Sequence, residues 1–230
     1  ILNKDKTKSL KLIKLTKLDK PKILELFKIT SLEKIRAFQS QHQFYDIDEL
    51  LLIGNQKQDG ILIKWFENTI DRHLEDNYNI LANEFQFDNI EISTLDYKAK
   101  FRGKIDRIDI SDDLKSYKII DYKLRDGNRD GMQLAIYSKA IQFILLNEYD
   151  ILSEPCGLIY NSFRYKFDDK ETMGYKEILN NSKKGAFELI EPLIEKAFEL
   201  IEQMENLDFS KVKNGKNYFR DKSMDLLKRD

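Results

Sequence analysis

Two stretches of alternating apolar and polar residues, about 97–110 and 117–124, are joined by the short polar connection "SDDLKS". Alternation with period two is the mark of a half-buried strand, and a turn-rich link this short leaves the second strand room only to fold back beside the first. The chain is therefore committed to an antiparallel hairpin. That hairpin carries Asp106 and Asp121 within runs that otherwise read as core, which is where a carboxylate costs most unless it is compensated.

Closing the hairpin symmetrically over Ser111–Ser116 sets Asp106 directly opposite Asp121. Facing Cβ atoms lie about 5 Å apart, so the two carboxylates repel unless a cation stands between them, and hard divalent ions take oxygen donors. Alternation puts Lys123 on the face of Asp121 and turns Tyr122 into packing on the other. Two acids and an ammonium on one face suit phosphodiester hydrolysis, with a metal such as Mg²⁺ activating water and the lysine orienting it or stabilising the transition state. Taken alone, D-x-K on a strand is more often a solvated edge. Asp109, Asp112 and Asp113 are read as turn and edge residues.

Helices are expected around this hairpin. Thr30 or Ser31 caps a short helix with Leu32, Ile35 and Phe38 at helical spacing. Ile63, Phe66, Ile70 and Leu74 line a second, followed by a strand bearing Glu84, Phe85 and Phe87. "GMQLAIYSKAIQFILLNEY" forms a third, placing Gln133 and Tyr137 on one face at i and i+4. That face either makes a local hydrogen bond or approaches the hairpin to hold substrate or water. "CGLIYNSF" is a further strand, and "KKGAFELIEPLIEKAFELIEQMEN" an amphipathic helix with Pro192 as a kink or first-turn residue. Residues 46–60 take no clear assignment. The fold class is α/β, with helices against a mixed central sheet. We find no internal boundary over 1–230 and expect a single domain, a fragment of something longer because it opens at Ile1.

Composition narrows the chemistry. With 39 Lys plus Arg against 40 Asp plus Glu there is no global basic field, although residues 1–28 hold nine Lys. This arm is either a solvated edge or phosphate-facing. One Cys and two His exclude a Cys-rich zinc or iron–sulfur site. His42 and His73 are read as surface residues. Glu84 is a candidate third acid, with a salt bridge to Arg102 or Arg107 as the ordinary alternative. No apolar run approaches the roughly 20 residues of a membrane span, which suits a cytoplasmic setting.

In order, "GKIDRID", "IIDYK" and "QLAIY" resemble the G-x-x-D-R-[IV]-D, D-Y-K and Q-x-x-x-Y motifs of RecB-like nucleases in the PD-(D/E)XK superfamily. "ITSLEKIRAFQSQHQFYD" and "NEFQFDNIEI" are similar to its N-terminal and E-x-x-F segments, so the resemblance spans about residues 28–145 and is strongest to the C-terminal nuclease domain of AddB-type helicase-nuclease subunits. It implies a restriction-endonuclease-like core acting on DNA as a Mg²⁺-dependent (or Mn²⁺-dependent) exonuclease in end resection and recombinational repair, beside a helicase partner. By the same resemblance Asp106, Asp121 and the Tyr122 backbone carbonyl are metal ligands with Glu84 a further candidate. Lys123 is the catalytic lysine, and Gln133 and Tyr137 assist DNA handling.

Two departures stand out. Ser40 replaces the first iron–sulfur Cys, and "VKNGKNYFRDKSMD" lacks the others, so no cluster is expected. "LLIGNQKQDG" begins like the family's I-G-x-x-x-H pattern but has no His. The alternative function is accordingly a catalytically degenerate DNA-binding or scaffold domain.

Overall fold

A computed structural model describes residues 10–40, 46–94, 97–123, 131–163, 173–180 and 186–205. Five strands form one sheet in the order β1 (Asn79–Ser93), β2 (Lys98–Ile110), β3 (Ser116–Lys123), β4 (Glu154–Phe163) and β5 (Met173–Asn180). Spatial order follows chain order, but the pairing is mixed. β3 and β4 run parallel while the other neighbours are antiparallel. Parallel neighbours need a crossover, and a helix, Met132–Tyr149, supplies it.

The helices fall on the two faces of this sheet. α1 (Lys20–Gln39), α2 (Asp46–Ile53) and α3 (Ile61–Asp76) gather together, and α3 lies against one face through His73–Asp109, Lys118–Asp76 and Trp65–Asn161 contacts. α4 (Met132–Tyr149) covers the other face, where the Tyr117 hydroxyl donates to the Ser138 carbonyl at 2.8 Å. α5 (Ala186–Glu205) packs beside α4, burying Ile190, Ile194, Ala197 and Phe198, with Pro192 inside the helix. The central core is accordingly the layer of Ile105, Ile108, Ile110, Tyr117 and Ile119 beneath Leu134 and Ile141.

Several expectations need correction. Thr30 and Ser31 do not cap a helix; they lie in the middle of α1, which begins after Asp19 with Pro21 in its first turn, where the missing N–H has no intrahelical partner to lose. The Asp19 carboxylate turns back to accept from Thr16 N and Oγ1. Residues 46–53 are the helix α2, and Met173–Asn180 adds an edge strand that pattern reading did not assign. His42 and the segment "VKNGKNYFRDKSMD" lie outside the described residues.

"IGNQKQDG" forms a tight link between α2 and α3, closed by a bridge from Gly54 to Asp59. Gly54 has φ +91, and a Cβ there would meet Gln58 O at 2.2 Å. A side chain at this position is excluded on both counts. Three lysines of the basic arm are drawn into internal pairing: Lys14 to Asp112 at 2.9 Å, Lys20 to Asp71 at 2.6 Å and Lys28 to Asp59 at 3.0 Å. Those three lysines favour the solvated-edge reading over a phosphate-facing one.

Candidate active site

The hairpin has the register that symmetric closure requires. Arg107, Ile108, Asp109 and Ile110 stand opposite Ile120, Ile119, Lys118 and Tyr117. The ladder then stops one pair short of Asp106 and Asp121, although both strands continue. Beyond this point β2 stays with β1, while β3 stays with β4 as far as the Lys123–Ser162 pair. The sheet forks here. Asp106 stands at the crotch, and its Oδ2 accepts the Tyr122 N–H at 2.7 Å, taking a donor released by the broken ladder.

Strand alternation places the rest. Tyr117, Ile119 and Asp121 form the buried series of β3, so Asp121 occupies a core position and is only 3% exposed. Lys123, on the same face, brings its Nζ to 2.6 Å from Asp121 Oδ2. Nζ also donates to Gln133 Oε1 at 3.2 Å, and Gln133 Nε2 donates to the Tyr137 hydroxyl at 2.9 Å. A carboxylate, an ammonium, a carboxamide and a phenol thus form one continuous chain from β3 to the first turns of α4.

Gly103 makes this approach possible. A Cβ there would lie 2.8 Å from two Phe87 ring atoms and 2.9 Å from Tyr137 Cε1, so only a bare backbone lets the two rings close over β2. They meet edge to face with centroids 5.8 Å apart. The sequence held the signal, a glycine inside a strand pattern, but only the packing gives it a purpose.

Glu84 does not join this group. It has φ 54 within β1, its side chain is 61% exposed, and it pairs with Lys104 rather than with Arg102 or Arg107. Among the described residues no set of three or more His, Cys, Asp or Glu converges to hold a metal. Asp106, Asp121 and the carbonyl of Tyr122, the residue after Asp121, are nonetheless oxygen donors of the hard type that Mg²⁺ accepts, and their donor chemistry fits such an ion.

The opposite face of the same strands holds a cluster that pattern reading misassigned. His73 is buried rather than on the surface, and Asp109 is buried rather than a turn or edge residue. The Arg107 guanidinium forks onto Asp109, Nε to Oδ1 at 2.7 Å and Nη2 to Oδ2 at 2.8 Å. His73 Nδ1 lies 2.5 Å from Arg107 Nη2 and 3.2 Å from Asp109 Oδ2. Burial pushes the Asp109 carboxyl up, but the His73 and Arg107 contacts outweigh it and hold the pKa below the usual carboxylate value. His73 was misread because its burial depends on a strand 36 residues away.

A mixed sheet flanked by helices on both faces is consistent with the restriction-endonuclease-like α/β fold. The chain belongs to the PD-(D/E)XK nuclease superfamily, whose family model matches residues 22–216. None of the curated proteins searched matches it. Members of this superfamily are nucleases that generally use divalent metals, and no helix among the described residues is long and apolar enough to cross a membrane.

Proposed function

We propose that this chain is a Mg²⁺-dependent DNA exonuclease domain, acting in the cytoplasm on DNA ends during resection and recombinational repair beside a helicase subunit. The observation that carries the reading is the convergence of Asp121, Lys123, Gln133 and Tyr137 at the fork where Asp106 accepts the Tyr122 N–H. Asp106, Asp121 and the Tyr122 carbonyl would hold the ion, which when bound supplies an activated water and neutralises charge developing on the phosphate. Lys123 stands beside Asp121 as a fixed cation, so its ammonium can orient the attacking water and stabilise the anionic transition state without reorganising. Gln133 holds that ammonium from the far side, limiting the positions it samples. Tyr137 fixes Gln133 in turn, accepting from its carboxamide through the hydroxyl.

A second reading, a DNA-binding or scaffold domain without catalysis, draws on Glu84. The third acid is turned to solvent and to Lys104, and among the described residues no three acids converge to hold a metal. End-labelled single- and double-stranded DNA, incubated with Mg²⁺ or with EDTA, separates the two. Metal-dependent release of label that disappears in Asp121→Ala supports the exonuclease. DNA retention without cleavage, with any helicase partner supplied, would leave the scaffold reading standing.

A further inference from the structure

Past Ile120, β3 has lost its ladder partner on the β2 side, yet the next three residues include both Asp121 and Lys123. A strand end held on one edge is free to twist, and a twist of the backbone at Tyr122 turns its two neighbours together because they share a face. Something must hold this end. Asp106 secures the Tyr122 N–H, and the ladder with β4 pairs Tyr122 with Asn161. The remaining holds are on the face away from Asp121.

There the Tyr122 ring meets the edge of Trp65, with centroids 5.7 Å apart and planes at 74°. Trp65 is itself fixed, since its Nε1 donates to Asn161 Oδ1 at 3.1 Å while Asn161 Nδ2 donates to Thr69 Oγ1 at 3.1 Å. Arg107 stands opposite Ile120, which shares the strand face of Tyr122, so its side chain is the diagonal cross-strand neighbour of the Tyr122 phenol. Arg107 cannot wander, because Asp109 grips it at two points and His73 closes the third side. Burying an ion cluster carries a desolvation cost that well-packed apolar residues would avoid, so its use here suits fixing a geometry better than adding stability.

We propose that Tyr122, seated on Trp65 and on the Arg107–Asp109–His73 cluster, is a positioning residue that fixes the rotation of the forked strand end and thereby keeps Asp121 and Lys123 within reach of Gln133. It touches neither substrate nor reacting atoms in this role. The inference rests on the reading of Asp121 and Lys123 as the hydrolytic pair, and its test is chosen to be independent of that reading.

Backbone amide exchange, followed by NMR in the full chain, reports the seating directly. Tyr122→Phe keeps the ring on Trp65 and removes the hydroxyl, while Arg107→Lys keeps the charge and removes the fork. In Tyr122→Phe, exchange at the Tyr122 amide should accelerate about tenfold or more, the loss expected for one hydrogen bond to a charged group, while Ile119 exchanges as in the wild type; in Arg107→Lys, which also loses the buried fork and so speeds exchange throughout, Tyr122 should accelerate about tenfold more than Ile119. Turnover should fall by a similar factor with KM for DNA within about twofold, because only alignment has changed. Unchanged exchange at Tyr122, or equal acceleration at Ile119 and Tyr122, overturns the proposal, the latter marking a purely structural role. If Arg107→Lys does not fold, Tyr122→Phe decides alone. A wild-type chain that cleaves no DNA removes the hydrolytic reading, and the exchange data still establish or refute the seating.

Discussion

Gly103→Ala tests how the site is assembled through a residue that carries no chemistry. The new Cβ would sit 2.8 Å from Phe87 and 2.9 Å from Tyr137, both through ring carbons. Carbon contacts are comfortable from about 3.5 Å, so the rings must retreat by about 0.6–0.7 Å. Neither ring is flexible, and overpacking of this kind costs about 1–3 kcal/mol. For a chain of 230 residues, that is a Tm lower by about 2–12 °C. The same retreat stretches the Gln133 Nε2 to Tyr137 hydroxyl bond from 2.9 Å. At about 3.5 Å it reaches the limit of a useful hydrogen bond. Gln133 then loses the contact that orients its carboxamide toward Lys123, and turnover should fall several-fold at a temperature well below the variant's Tm. Thermal unfolding by circular dichroism and cleavage of end-labelled DNA measure the two effects. A variant with wild-type Tm and wild-type turnover would refute the claim that Gly103 is kept bare for Tyr137.

Other perturbations separate chemistry from scaffolding. Lys123→Ala should lower cleavage by about a hundredfold or more, because a fixed cation at the developing charge is lost, and should also lower the unfolding midpoint, because the buried Asp121 carboxylate loses its ammonium partner. Gln133→Ala should cost less turnover than Lys123→Ala, since it loosens the ammonium without removing it, and paired kinetics on the same DNA check the ranking. Asp109→Asn breaks a buried fork and should destabilise by about 3 kcal/mol in urea unfolding. Its pH dependence has a definite sign. The folded-state pKa of Asp109 is held below the ordinary value of 3.8, so this carboxylate's contribution is complete above that pH and is lost as pH falls through the folded value. Wild-type and Asp109→Asn stabilities should therefore converge on acidification, and parallel curves would show that the fork contributes little.

The division between what pattern and packing decide follows from distance along the chain. A hairpin is local, so alternation and a short polar link were enough to set Arg107–Ile110 against Ile120–Tyr117 and to put Asp121 and Lys123 on one face. The i, i+4 spacing likewise placed Gln133 with Tyr137, although whether their face met the hairpin stayed open until α4 was laid over Gly103. Where a residue's surroundings come from remote elements, its type misled. His73 and Asp109 read as surface and turn residues because each is buried by the other's element, α3 against β2, and Thr30 and Ser31 read as caps although α1 runs straight through them. The fork itself is invisible to periodicity, which predicts that pairing continues as long as alternation does. By itself the sequence determined which side chains share a strand face, because that is fixed by the backbone's period of two. Only the tertiary structure decided where β2 leaves β3, that Glu84 stays outside, and that Tyr122 is gripped from behind, because those depend on which helix each face must pack against.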